Sequence, residues 1–159
     1  MWIGHVRVFI RVRLMILVDT SVWGRIAVKR DPLHATAMNA LRWVIRHDQP
    51  AIAAQSLYEF WVVATRPLDA NGLGWHPTRV VSWIQACRRS CRFLPDDPRL
   101  FDIWAALVEA HATKGKPAHD ARLVACMMIH GIPDILTFNP GDFTRYAITV
   151  RDPRALPGV

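Results

Sequence analysis

Leu14-Met15-Ile16-Leu17-Val18 is an unbroken apolar run that stops at Asp19. Five apolar residues without polar alternation are too few for a helix, and they read as a strand buried on both faces. Such a strand needs partners and cover on each side. Downstream, residues 21–28 read as a short helix capped by Thr20 or Ser21. Residues 32–46 read as a second helix, with Leu33, Ala37, Leu41, Val44 and Ile45 on one face and Pro32 in its first turn. Residues 51–54 form a short apolar strand. Residues 56–65 read as a helix apolar nearly all round, hence buried. A Gly-rich loop fills 66–76. Helices over 77–91, 98–113 and 120–130 follow, with strands at 92–94, 134–137 and 147–150. Strands alternating with helices predict an α/β fold of three layers, a mainly parallel central sheet with helices on both faces. In such sheets ligands bind beyond the carboxyl ends of the strands.

The chain has 159 residues, 52% of them hydrophobic and 21% charged, which fits one domain with a sizeable core. Its formal net charge of +7 favours a polyanionic partner, nucleic acid first. Three cysteines, Cys87, Cys91 and Cys126, show no framework spacing. They read as small apolar core residues of a protein in a reducing cytoplasm. No stretch is long and apolar enough to span a membrane. Before Met15, apolar Val6, Val8, Ile10, Val12 and Leu14 alternate with Arg7, Phe9, Arg11 and Arg13. That alternation reads as a strand; alternatively, Met15 is the natural start and residues 1–14 are an extension. Residues 15–153 then form the domain, and 154–159 a tail.

Four acids stand at the edges of apolar elements. Asp19 closes the first strand. Glu59 is the only charge in Ser56-Leu57-Tyr58-Glu59-Phe60-Trp61-Val62-Val63-Ala64. Asp120 opens a largely apolar helix, and Asp142 follows Ile135-Leu136-Thr137-Phe138 by a short turn. Asp19, Asp120 and Asp142 have ordinary readings as cap or turn residues, and Glu59 as a partner of Arg66. Together they need a compensator, because an ionised carboxylate costs roughly several kcal/mol to desolvate even after relaxation. A shared divalent ion is that compensator. Oxygen-only ligation selects Mg²⁺ or Mn²⁺ over zinc, and such ions promote phosphodiester hydrolysis. Other phosphate chemistries fit less well. Residue 21 is Ser where a haloacid-dehalogenase-like phosphatase wants a second Asp, no early acidic pair marks a receiver domain, and no phosphate-binding loop motif occurs. Trp75, in the Gly-rich loop, is a candidate to stack on a base.

The pieces Met15-Ile16-Leu17-Val18-Asp19-Thr20-Ser21, Leu57-Tyr58-Glu59-Phe60, His119-Asp120-Ala121-Arg122-Leu123-Val124-Ala125 and Leu136-Thr137-Phe138-Asn139-Pro140-Gly141-Asp142-Phe143 occur in that order. In this the chain resembles the PIN-domain ribonucleases, and within them the VapC-type toxins of bacterial toxin–antitoxin pairs. The resemblance covers residues 15–153. It implies a metal-dependent endoribonuclease whose Asp19, Glu59, Asp120 and Asp142 are the catalytic, metal-binding acids. Thr20, Ser21 and Thr137 match small hydroxyl positions near the metal. Asn139 stands where many relatives carry an acid, and so becomes a neutral ligand or a water-holder. The resemblance further implies an RNA substrate (tRNA, rRNA or mRNA), a homodimer, and a cognate antitoxin that occludes the site, often with an arginine near the acids. Lys114, Lys116, Arg122 and Arg25 are the candidate RNA contacts. The rival reading is a non-catalytic PIN-like module that binds RNA or protein.

Overall fold

A computed structural model describes residues 13–157. Its strands are β1 (Met15–Val18), β2 (Gln49–Ala53), β3 (Arg92–Leu94), β4 (Asp134–Leu136) and β5 (Thr149–Arg151), and its helices are α1 (Thr20–Ala27), α2 (His34–His47), α3 (Ala54–Thr65), α4 (Pro77–Ser90), α5 (Leu100–Ala110) and α6 (Pro117–His130). The strands form one sheet in the order β3-β2-β1-β4-β5, and every pairing is parallel. The apolar run expected to be buried on both faces is the central strand. Leu17, Ala51, Ala53 and Ile135 pack against Leu123, Val124 and Met127 of α6 on one face. Ile16, Val18, Ile52 and Leu136 pack against Val22 and Trp23 of α1 and Ala37, Leu41 and Val44 of α2 on the other. This is the expected three-layer α/β architecture. Each fully buried Leu, Ile or Val contributes about 1.5–3 kcal/mol.

The chain leaves β1 for β2 and β3, then returns to β4 on the other side of β1. The crevice beyond the carboxyl ends of β1 and β4 is therefore the topological switch point, where ligands bind in such sheets.

Several boundaries differ from the sequence reading. The first helix is capped by Asp19, not by Thr20 or Ser21. Helix α2 starts at His34 because Asp31 accepts a bond from Leu33 N at 2.7 Å and holds a turn there. Helix α5 is shorter at both ends. Asp97 accepts from Arg99 N at 2.9 Å before it, and Ala112 adopts φ 45° after it. Helix α6 begins at Pro117, whose missing N–H is harmless at a first position. Asp120 thus lies inside the first turn and does not open the helix. Helix α3 is not buried all round: Tyr58, Trp61 and Val62 face solvent. The expected strand over 6–14 lies outside the described residues except at Arg13 and Leu14, which are irregular. Arg154 donates to Phe138 O at 3.1 Å, so the folded unit reaches past 153.

The Gly-rich loop satisfies the last carbonyls of α3, which would otherwise lack partners. Leu73 N donates to Val63 O at 3.0 Å, Trp75 N to Ala64 O at 2.8 Å, and Gly74 N to Arg66 O at 2.8 Å. Closing the loop this tightly requires glycine at 72, where a Cβ would stand 2.0 Å from Arg66 O. Trp75 does not extend as a stacking platform. It packs edge-on against Phe60 and Trp83, with the Arg79 guanidinium 3.8 Å above it.

Gly72→Ala should therefore destabilise the protein by about 1–3 kcal/mol, because backbone must shift to admit the methyl group. Gly24→Ala, in α1 with open space around the new Cβ, should be neutral or stabilising by up to about 1 kcal/mol. Urea denaturation of the two variants beside the native chain checks both.

Candidate active site

Asp19 follows β1, and its backbone N–H donates to Leu136 O at 3.0 Å, so β1 and β4 end side by side. The carboxylate is only 7% exposed. Four donors hold it. Thr20 N donates to Oδ1 at 2.7 Å. Ser21 Oγ, Thr137 Oγ1 and Ser21 N donate to Oδ2 at 2.6, 2.9 and 3.3 Å. Thr137, fully buried just past β4, accepts in turn from Asn139 N at 3.0 Å, and Ser21 Oγ accepts from Phe138 N at 3.1 Å. The hydroxyls of Ser21 and Thr137 thus position Asp19, and they lock the two strand ends together.

Glu59 reaches the same place from α3. Thr20 Oγ1 donates to its Oε2 at 2.8 Å, and Gln55 Nε2 donates to its Oε1 at 2.8 Å. Gln55 is buried and also donates to His119 O at 2.9 Å. Its own oxygen accepts from Arg122 Nη1 at 3.1 Å, while Arg122 Nη2 bridges to Asp96 Oδ2 at 2.9 Å. Gln55 escaped the sequence reading. The available signal was an amide one helical turn before the acid, in a segment otherwise too apolar to hide one. Arg122, read from sequence as a candidate RNA contact, is half-buried and props Gln55 through this bond.

Asp120 stands half-buried in the first turn of α6. Its carboxyl is pushed up from 3.8 to about 6, first by burial and then by repulsion from Asp142, Asp19 and Glu59, with Lys116 pulling it back. Asp142 is exposed in the short 3₁₀ turn Pro140–Phe143. All four acids line one cleft of about 890 Å³, together with Thr20, Ser21, Asn139, Arg25, Lys116 and His119. Lys114 is exposed and is not part of its wall. Arg25 donates to Ser21 O at 2.9 Å and lies 4.4 Å from the centre of the Phe138 ring. It is a fixed cation in the wall.

Among the described residues the ion pairs are Arg99–Asp97, Arg122–Asp96, Arg151–Asp134 and Arg154–Asp152. None involves a cleft acid. Nor, among those residues, do three acidic, histidine or cysteine side chains close into a finished metal cage. The expectation that Asp19, Glu59 and Asp120 already converge around one ion is not met in that form. The acids instead share a cleft, with Asp19 and Glu59 held by hydrogen bonds, while burial and the neighbouring acids raise the carboxyl of Asp120. The donor set still fits a hard divalent ion. It is dominated by carboxylate oxygens, and Asp120 carries a repulsion that a cation would relieve. Elsewhere the cysteines are inert, burial pushing Cys87 and Cys91 up to about 12 and Cys126 up to about 11.

A family model described as "PIN domain" matches residues 16–148. No curated protein matches the chain significantly. Solved structures do share its fold. VapBC2 from Rickettsia felis, bound to a DNA fragment from its promoter, aligns with a TM-score of 0.65 at 12% identity, covering 87% of this chain and 98% of that one. FitAcB from Neisseria gonorrhoeae aligns at 0.64 with 19% identity, covering 89% and 100%. VapC20 from Mycobacterium tuberculosis, described as a sarcin–ricin-loop cleaving toxin, aligns at 0.56 with 22% identity, covering 77% and 87%.

Two outcomes follow from the geometry. A carboxyl raised in the folded state favours folding while protonated. That stability is present below about 3.8 and is lost as pH rises through about 6. Asp120→Asn removes the loss, so without divalent ions the variant should melt above the native chain at pH 7.5 and level with it near pH 3.5. The full displacement corresponds to about 3 kcal/mol, which solvent screening of a half-exposed group reduces to on the order of 1 kcal/mol. Gln55→Ala should release Glu59 and weaken Mn²⁺ binding by roughly 10–100-fold, as loss of a group that orients a ligand does; titration calorimetry reads this directly.

Proposed function

Because this chain belongs to the PIN-domain family, we propose that it is a metal-dependent endoribonuclease of the VapC type, hydrolysing phosphodiester bonds of RNA. The observation that carries this reading is the acidic cleft at the switch point. Asp19, Glu59, Asp120 and Asp142 line it without a cation partner among the described residues, and three of them push up the fourth. A phosphate backbone would not enter such a cleft unaided. Mg²⁺ or Mn²⁺ held by Asp19, Glu59 and Asp120, with Asp142 at the rim, would offset that charge and supply an activated water.

The chain's own groups do the rest. Thr20 and Gln55 hold both oxygens of Glu59 at a set orientation. Ser21 and Thr137 hold Oδ2 of Asp19, and Thr20 N holds its Oδ1. Arg25 and Lys116, on the cleft wall, lie where they can neutralise phosphates flanking the scissile bond. Asn139, exposed beside Asp142, can hold a water by its amide. On this reading the protein is a toxin with a cognate antitoxin, as in the neighbouring VapBC structures, and acts as a homodimer in the cytoplasm. No helix among the described residues is long and apolar enough to cross a membrane. An antitoxin arginine placed among unpaired acids would block the site by occupying the place of the ion. The open ligand set favours a second reading, a non-catalytic module, but four clustered acids with no ion pair among the described residues are wasteful in a mere binding surface.

Incubation of the purified chain with tRNA and rRNA should give discrete cleavage products with Mn²⁺ or Mg²⁺, and none with EDTA. Asp120→Asn should lower the rate at least 100-fold while the fold persists, since one ligand charge and its share of the ion's affinity are lost (on the order of several kcal/mol). Cleavage by Asp120→Asn at the native rate would remove Asp120 from the site.

A further inference from the structure

A second cavity, of about 550 Å³, adjoins the acidic cleft, and His119 lines both. Its wall is aromatic. Phe101 of α5 is 68% exposed, and its ring lies 5.5 Å from that of Trp104, tilted by 44°. Trp104 is fixed, its indole N–H donating to Ala118 O at 2.8 Å. The polar end holds Asp96 and Arg122. Asp96 gives Oδ2 to Arg122, and its side chain remains 42% exposed. Its Oδ1 accepts no hydrogen bond among the described residues.

We propose that this cavity seats an unpaired nucleobase of the RNA, next in sequence to the phosphodiester in the acidic cleft, with guanine preferred. The inference rests on the ribonuclease reading and names what that site selects. A flat, apolar ligand with donors on one edge matches an exposed ring backed by an anchored indole, with a carboxylate at the end. Bases in RNA loops are splayed out and stack on such rings. A carboxylate only accepts, so it selects an edge that donates. Guanine presents N1–H and the 2-amino group side by side, whereas uracil flanks its single N–H with carbonyls. Asp96 pairs with Arg122, and Asp97, the other acid of the lining, pairs with Arg99, so the cavity offers no unpaired charge to hold a charged peptide. Its continuity with the cleft at His119 ties the base to the cleaved bond. Arg122 also props Gln55, and through it Glu59, so a base seated there touches the same chain of contacts that orients a cleft acid.

The test uses stem-loop RNAs in which the loop nucleotide beside the cleaved bond is guanine, adenine, uracil, cytosine or abasic. Native protein, Phe101→Ala and Asp96→Asn are compared with Mn²⁺. Phe101→Ala should lower kcat/KM on the guanine loop by roughly 5- to 150-fold, the range for loss of one base-stacking contact, mainly through KM. That loss should not add to the loss from the abasic nucleotide, because both remove one contact. Asp96→Asn should shift preference away from guanine, since an amide also donates; the ratio between bases is the readout, not the rate. Fluorescence anisotropy on the same RNAs separates the two readings. Base-dependent binding that Phe101→Ala abolishes, without any cleavage, upholds the pocket and overturns the nuclease. Equal cleavage of all five loops by native protein and by Phe101→Ala overturns the pocket and leaves the nuclease standing. Unchanged RNA preference with loss of a dimer on sedimentation of Phe101→Ala also overturns it, and assigns the face to a second copy of the chain.

Discussion

A carboxylate buried between two strand ends and left unpaired organises this molecule. Asp19 sits where β1 and β4 finish together, and four donors within two short segments grip it. Those bonds make burial tolerable without cancelling the charge. The same carboxylate caps α1, so the helix that covers one face of the sheet starts from the site itself. Ser21 bonds across to Phe138 N, and Thr137 to Asn139 N. The turn that presents Asp142 therefore hangs from the same hydroxyls. Removing Asp19 would leave buried donors without acceptors as well as taking a charge from the cleft.

Other buried acids in the chain throw this into relief. Asp134 is 4% exposed and lies 2.6 Å from Arg151 Nε. Asp48 is buried too, and accepts from Leu14 N at 3.3 Å at the opposite end of β1. These acids hold the sheet together. Each has a partner, Arg151 for Asp134 and Leu14 N for Asp48, and each lies at the edge of the sheet where the strands begin, away from the cleft. Burial alone does not distinguish a working carboxylate from a structural one. What distinguishes the cleft acids is that several of them face one another while none forms an ion pair among the described residues.

The sheet and its flanking helices were legible because short apolar runs and longer amphipathic ones alternate along the whole chain. The four acids were legible because a charge at the end of an apolar run is conspicuous. Less was visible where the deciding partner is distant in sequence. Gln55 looks like one polar residue among alanines until Arg122, 67 positions away, is brought to it. Arg122 looks like any surface cation for the same reason. The start of α6 was hidden because Lys116-Pro117 reads as a helix breaker, whereas Pro117 is the first residue of the helix. The exposure of Tyr58, Trp61 and Val62 was invisible because composition sets how apolar a helix is, not how many of its sides are covered.

The run of contacts from Asp96 through Arg122 and Gln55 to Glu59 constrains how such a protein could change its target. On the functions proposed above, its two ends would serve different tasks, one reading a base and the other holding an ion. A substitution at Asp96 or Arg122 would disturb both tasks at once. Phe101 lies outside that run, its ring packed against that of Trp104. New specificity is therefore easier to reach by replacing the surface a base rests on than by replacing the group that reads its edge. A lineage diverging from this chain would vary first at position 101 and keep 55, 96 and 122 together as a set.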